Sequence, residues 1–186
     1  MAPSEKLKED NPIYFGGSCA CGRITYESRC MPTSSSACHC VTCRKLSGAA
    51  FQCFPDVSSK EVTFYDNKEH LRHEGLPKDD IGGLEFLRLS SAGERAFCVD
   101  CHTPLAMRYK HQPDVTGITL GSVDEQTILD ERVKEALRPK ARIFMEQNAW
   151  WFEPKDDGLR THQRFGGSFE QDMKAWELRA RRTAKM

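Results

Sequence analysis

The stretch CHCVTC, residues 38–43, places three cysteines within six residues. Two pairs lie at a distance from it, Cys19-Ala20-Cys21 upstream and Cys98-Val99-Asp100-Cys101 downstream. These groups hold seven of the nine cysteines, and Cys30 and Cys53 lie outside them, where we expect plain buried thiols. Cysteines at such short spacings are typical of turns that direct two thiolates at one metal ion.

Three interpretations of the grouped cysteines compete: disulfide bonds, a redox pair and metal sites. Disulfide bonds are disfavoured because the count is odd and because the first residues, MAPSEKLKEDNPIYF, lack the apolar core of a secretory signal. A redox Cys-x-x-Cys would account for only one group. Metal binding accounts for all three groups, so we expect zinc sites in a cytoplasmic protein, with a nuclear location as the alternative.

Spacing alone leaves open how the seven cysteines are divided between ions. A closed structural zinc site uses four protein ligands, and the two distant pairs can supply them. The triplet of Cys38, Cys40 and Cys43 would then keep an open coordination position, which is the arrangement we favour. In the rival arrangement, an outside ligand such as a histidine seals the triplet into a second closed site.

The charge of an open three-thiolate site restricts its chemistry. Three thiolates outweigh one Zn²⁺ and weaken its Lewis acidity, so the site is poorly suited to producing hydroxide from water. Such an ion readily accepts a further soft ligand. The triplet therefore predicts a thiol-bearing substrate rather than hydrolysis.

Composition excludes several classes of protein. The 186 residues favour one domain, and 39% of them are hydrophobic, which is enough to form a core. Lys+Arg and Asp+Glu are both 27, so a strongly basic nucleic-acid binder is disfavoured. No apolar run is long enough to cross a bilayer, which argues against an integral membrane protein.

Short β-prone runs separated by Gly and Pro recur along the chain and predict a mainly β fold. We expect a strand from Ala49 to Phe54 that ends at Pro55, a loop over residues 66–83, and a core strand at Trp150-Trp151-Phe152. Residues 1–11 are expected to be disordered. Residues Phe169 to Lys185 predict a C-terminal helix, since Met173, Trp176 and Ala180 share one face.

Three features near the cysteines have ordinary structural explanations. His39 alternates with the triplet thiols and is expected to point away from the ion. Arg44 and Lys45 are candidate cations for a negatively charged site, although plain surface charge is the simpler interpretation. His102 is expected to be a turn residue.

The motifs resemble those of a known family. The residues that carry the resemblance are Gly16-Gly17-Ser18-Cys19-Ala20-Cys21-Gly22, then 38–51 (CHCVTCRKLSGAAF), then Arg95-Ala96-Phe97-Cys98-Val99-Asp100-Cys101 with Thr103-Pro104-Leu105. Together with Ile143-Phe144, Trp150-Trp151 and Asp157-Gly158-Leu159, they are similar to the glutathione-dependent formaldehyde-activating enzyme family, which includes the centromere protein V group. The resemblance covers roughly residues 12–160.

The resemblance implies a β-tent (Mss-four-like) fold of short coiled β-sheets with zinc knuckles. It also implies how two zinc ions per chain are held. Cys19, Cys21, Cys98 and Cys101 would bind a structural zinc, and Cys38, Cys40 and Cys43 a catalytic zinc with an open face. Residues 12–160 would form the zinc domain, and 161–186 a basic helical extension that is a possible oligomer or partner surface.

The implied activity is that of a carbon–sulfur lyase of the S-(hydroxymethyl)glutathione synthase type, with glutathione and formaldehyde as substrates. Two alternatives remain. One is a non-catalytic zinc module that binds protein or nucleic acid. The other is a family member that acts on a larger electrophile in a biosynthetic pathway. The sequence does not identify the electrophile, the direction of reaction or the glutathione contacts.

Overall fold

The computed structural model describes residues 12–183, and the expectation of a disordered lead at 1–11 lies outside them. The described residues form a mainly β structure with two sheets and three α-helices, one of them C-terminal, as predicted. The strands are β1 Phe15–Ser18, β2 Ile24–Ser28, β3 Ser34–Cys38, β4 Gln52–Ser58, β5 Val62–Asp66, β6 Leu71–Glu74, β7 Leu84–Leu87, β8 Gly93–Cys98, β9 Pro104–Tyr109, β10 Val115–Ile118, β11 Ala141–Ile143 and β12 Arg160–Thr161. The helices are α1 Val41–Ser47, α2 Glu131–Leu137 and α3 Phe169–Thr183.

The first sheet is antiparallel, with the order β1-β2-β5-β6. Strands β2 and β5 alternate between buried and partly exposed residues, which is the pattern of a sheet with one face on the core. Ile24, Tyr26 and Phe64 point inward and are almost completely buried. This sheet therefore supplies one wall of the main hydrophobic core.

The second sheet has eight strands in the order β12-β11-β3-β4-β10-β9-β8-β7. Its central pairs are antiparallel, whereas β11 is parallel to both β3 and β12. The inward face of β8 and β9 packs Ala96, Cys98 and Leu105 against the first sheet. A smaller cluster on this sheet contains Phe54, Met107 and two of the triplet cysteines.

Two local expectations are wrong. Pro55 does not end the strand, because β4 continues to Ser58 and pairs with β3 across the proline. On the other side, β10 pairs only with Asp56–Ser58, so the missing N–H of Pro55 costs no ladder bond there. The expected loop at 66–83 likewise contains β6, which extends the first sheet.

Trp150 and Trp151 do not form a core strand. Their exposed fractions are 94% and 56%, and they lie in a turn closed by the bond from the Phe152 N–H to the carbonyl of Ala149. This turn buries Ala149 and directs the two indoles outward. Apolar character alone does not predict burial, because the turn geometry decides which side chains reach the core.

Helix α3 forms where the sequence predicts it, and residues 184–185 of that prediction lie outside the described part of the chain. Its first residue, Phe169, packs against Phe165 and Tyr109, with ring centroids 4.4 and 4.8 Å apart. These contacts anchor the start of the helix on the face of the second sheet.

Candidate metal centres

The two outer cysteine pairs come together between the two sheets. Cys19 and Cys21 lie in the turn between β1 and β2, and Cys98 and Cys101 lie at the turn between β8 and β9. Their four Sγ atoms all lie within 4.8 Å of one another. Residues 79 positions apart in the chain, Cys19 and Cys98, thus meet at a point where a single ion would join both sheets.

The sulfur positions fit a tetrahedral zinc site. Four sulfurs about 2.3 Å from one ion lie about 3.8 Å apart at tetrahedral angles. The Sγ of Cys21 is 3.5 Å from that of Cys19 and 3.7 Å from that of Cys98. All the described cysteines are free thiols, and these separations are far too long for disulfide bonds.

A buried arginine connects the two turns of this group. Arg23 follows Cys21 by two residues, and its Nη1 donates to Asp100, which lies between Cys98 and Cys101, at 2.9 Å. Its Nη2 also donates to Asp66 at 3.1 Å. Burial alone would raise the pKa of Asp66, but hydrogen bonds from Arg23 and from three backbone N–H groups lower it to about 2. The charged pair therefore holds both turns in place.

The triplet lies where a strand ends and a helix begins. Cys38 is the last residue of β3, and Cys40 is the N-cap of α1, with its Sγ 3.4 Å from the Cys43 N–H that donates to it. Cys43 lies within the first turns of α1 and is buried. The three Sγ atoms all lie within 4.8 Å of one another and can hold a metal ion.

Hydrogen bonds among the three thiols shift their pKa values in different directions. The pKa of Cys40 falls to about 2, because its thiolate accepts hydrogen bonds from the Cys38 and Cys43 thiols and lies near the positive charge of Arg95. The pKa of Cys38 is raised, because its thiol proton is held in a hydrogen bond to Cys40. An ion that replaces the shared protons would hold all three residues as thiolates.

Arg95 is a site residue that sequence reasoning missed. Its Nη2 lies 4.0 Å from the Sγ of Cys43 and donates to it, whereas neither the Arg44 nor the Lys45 side chain forms a hydrogen bond with the thiols. No spacing links Arg95 to the triplet, because it belongs to β8 and reaches the thiols only across the folded sheet. Its position three residues before Cys98 is the one signal near a motif.

His39 points away from the triplet, as expected. Its Nδ1 lies 2.9 Å from the Oδ1 of Asn148, and its ring packs against Phe51 and Phe152. The imidazole is fully buried in that pocket. Within residues 12–183, no histidine joins the thiols in a group that could hold an ion, so the rival sealed arrangement has no support there.

The triplet opens into a cleft with a volume of about 490 Å³. Residues of β3, β4 and β10 line it, together with Arg95 and Tyr109. Phe165, Phe169 and Met173 also line it, and the two phenylalanines pack against Tyr109. By contrast, neither Cys30 nor Cys53 belongs to a candidate metal group, and burial raises the pKa of Cys53 to about 11.

The fold and the two thiol groups define a mainly β protein with two candidate metal centres, one between the sheets and one in a cleft. A family model described as glutathione-dependent formaldehyde-activating enzyme matches residues 14–147. The chain belongs to this family, since the match spans more than half of its length.

Comparison with individual proteins adds little. No curated protein matches the chain. Among solved structures, a crystal structure of a Rhodobacter sphaeroides protein is similar, with 14% sequence identity and a TM-score of 0.44. The alignment covers 79% of this chain and 98% of that chain. Separately, no helix within residues 12–183 is both long and apolar enough to cross a membrane.

Proposed function

We propose that this protein adds glutathione to formaldehyde and forms S-hydroxymethylglutathione, as its family description suggests. The observation that carries the proposal is the group of three thiols at the floor of a cleft large enough for a tripeptide. A thiol-lined site of this kind suits a soft sulfur ligand better than it suits hydrolysis.

The two thiol groups would have different tasks. Cys19, Cys21, Cys98 and Cys101 would hold a structural zinc, because four protein ligands leave no position for substrate. Cys38, Cys40 and Cys43 would hold a second zinc and leave one position facing the cleft. When bound there, that zinc supplies a Lewis acid that keeps the glutathione sulfur as a thiolate at neutral pH.

The chain's own charges support a thiolate in the cleft. Arg95 lies beside Cys43 and offsets the negative charge that accumulates when a substrate thiolate joins three protein thiolates. We assign Arg95 the role of stabilising the bound thiolate.

Tyr109 lines the cleft as a phenol that would stay protonated and able to donate a hydrogen bond. It packs against the cluster that contains Cys38 and Cys43, and burial is the main reason that its pKa is raised. In the reaction, a sulfur lone pair forms the C–S bond and the carbonyl π electrons move to oxygen, which takes a proton. Tyr109 would donate a hydrogen bond to that oxygen, and the proton released by the glutathione thiol balances the addition.

The aromatic wall keeps water out of the cleft. Phe165 packs against Phe144, Phe169 and Tyr109, and Phe169 also packs against Tyr109, with centroid distances of 4.4 to 6.0 Å. A drier cleft strengthens the attraction between Arg95 and the thiolate and orients both reactants.

The experiment is exchange NMR with glutathione and ¹³C-formaldehyde, which measures the rate of hydroxymethyl transfer with and without protein. We expect catalysed exchange in the wild type, loss of it in Cys40→Ser, and retention in the matched variant Cys53→Ser. No acceleration by zinc-loaded wild-type protein would refute the proposal.

The size of the cleft favours a second candidate, addition of the thiol to a larger electrophile. A cavity of about 490 Å³ leaves space beside a bound thiol for more than a one-carbon aldehyde. The same assay with a series of longer aldehydes separates the two. A rate that rises with aldehyde size would favour this second function over formaldehyde.

A further inference from the structure

The cleft extends well beyond the triplet, along the face of β3 and β4. Ser34, Ser36 and Cys38 alternate along β3 and line the cleft, and Asp56 on β4 lies opposite Ser34 in the register. Cys38 lies four positions after Ser34, which corresponds to roughly 13 Å along an extended strand. The far end of the cleft is therefore marked by Asp56 at a definite distance from the thiols.

Asp56 has the environment of a carboxylate that awaits a cation. Ser34 Oγ donates to its Oδ2 at 2.6 Å, and no ion pair among residues 12–183 involves it. Burial raises the pKa of this carboxyl group. A partly buried anion with one neutral donor is costly to maintain, and a bound cation would remove that cost.

Glycine at position 117 keeps access to Asp56 open. Gly117 pairs with Asp56 in the register of β10 and β4. A Cβ at this position would lie 3.3 Å from the Oδ1 of Asp56 and 3.1 Å from Cγ of Met107. The absent side chain leaves space beside the second carboxylate oxygen, Oδ1, where Gly117 and Asp56 both line the cleft.

The distance suits glutathione. Eight bonds separate its sulfur from the γ-glutamyl amino nitrogen, which gives an extended reach of about 10 Å. A hydrogen bond of about 2.8 Å extends that reach to the span between the triplet and Asp56. The charges also match, since the positive Arg95 lies near the thiolate end and the negative Asp56 lies at the amino end.

We propose that Asp56 and Ser34 form the binding site for the primary ammonium group of the thiol substrate, which in glutathione is the γ-glutamyl amino group. This inference rests on the proposed function in taking glutathione as the thiol. It adds a determinant of specificity, because thiols without a correctly placed ammonium group would lose this contact.

The test compares glutathione with the analogue in which hydrogen replaces the γ-glutamyl amino group, using isothermal titration calorimetry on zinc-loaded protein. We expect the analogue to bind the wild type about tenfold to hundredfold more weakly, the range for a lost charged hydrogen bond. Asp56→Asn should weaken glutathione binding by a similar factor and should remove the difference between the two ligands.

Glu177→Gln is the matched control, because Glu177 is the other carboxylate among the described residues that line the cleft, and this variant should keep the wild-type ratio. Equal binding of both ligands by the wild type would overturn the ammonium site and leave the proposed function intact. The same holds if Asp56→Asn keeps the full ratio. Binding of neither thiol by zinc-loaded wild type would defeat both proposals. If Asp56→Asn fails to fold, the titrations of the wild type with glutathione and with the analogue still decide whether the ammonium site exists.

Discussion

The Nη2 of Arg95 lies 4.0 Å from the Sγ of Cys43, although the two residues are 52 positions apart in the chain. Pairing of β8 with β9, of β9 with β10 and of β10 with β4 brings the guanidinium to the thiols. A single positive charge therefore faces a group that would carry three negative charges as thiolates. The first prediction follows from this contact.

Replacement of Arg95 should slow the proposed reaction. We expect Arg95→Gln to lower kcat/KM by about tenfold to hundredfold, because the substrate thiolate loses a nearby charge. Arg95→Lys should restore part of the loss, since it returns the charge without the planar fork. The measurement is the exchange rate over a range of glutathione concentrations.

Arg72→Gln serves as the control for Arg95, because Arg72 pairs with Glu74 on the exposed face of β6, in the other sheet. Its kcat/KM should match that of the wild type. If Arg95→Gln also matched the wild type, the charge argument would be wrong.

Metal content should separate the two cysteine groups. We predict two zinc ions per chain in the wild type, measured by inductively coupled plasma mass spectrometry on protein purified with a reductant. Cys40→Ser should retain one, because two remaining thiolates bind the ion weakly, and Cys53→Ser should retain both. A wild type with one zinc, unchanged in Cys40→Ser, would contradict a metal at the triplet.

The ion pairs of Arg23 with Asp66 and Asp100, here called the charged clamp, should contribute to the stability of the fold beside the four-cysteine group. Arg23→Met removes the partner of the buried Asp66 and the link to Asp100, so we expect the Tm to fall by about 5 °C or more. Differential scanning calorimetry at saturating zinc gives the measurement. Arg132→Ala is the comparison, since it breaks an exposed ion pair with Asp130 and should shift the Tm by less than about 2 °C. Equal shifts in the two variants would argue against the clamp.

Acid should loosen the aromatic wall through His111, whose ring packs against those of Tyr109 and Phe169. Burial lowers the pKa of His111, with Asp172 acting in the opposite direction, and its two ring nitrogens have no hydrogen-bond partner. Because the folded pKa lies below the ordinary value of 6.5, the unfolded chain binds more protons just below that pH. This contribution to stability is complete above pH 6.5 and is lost as the pH falls below it.

The test is thermal unfolding of the wild type and His111→Phe between pH 7.5 and pH 5.5. The wild-type Tm should fall more steeply with decreasing pH than that of His111→Phe, which has no group to protonate there. His70→Asn removes an exposed histidine and should follow the wild type. Parallel curves for the wild type and His111→Phe would exclude this role.

The spacing of cysteines along the sequence predicts much of the candidate site. Cysteines two or three residues apart must share a turn, so the grouping of Cys38, Cys40 and Cys43 could be predicted before any fold was known. Spacing does not predict that Cys19 lies close to Cys98. That expectation came from the resemblance to a family. Metal occupancy and the catalytic role of the triplet stay predictions.

Arg95 and Asp56 show where sequence reasoning ends. Both reach the cleft through strand register, and register depends on long-range packing that no local pattern encodes. The errors have the same origin: Pro55 is tolerated because of where β10 pairs, and Trp150 is exposed because it lies in a turn. The mainly β character was predictable, since it depends on short-range alternation.

The aromatic and helical side of the cleft, from Phe165 to Glu177, lies beyond residue 147, where the match to the family model ends. The three thiols and one wall of the cleft thus belong to different stretches of the polypeptide. Exchange of the carboxy-terminal segment for another would reshape that wall, and with it the space open to a ligand, without altering the residues that can hold a metal ion.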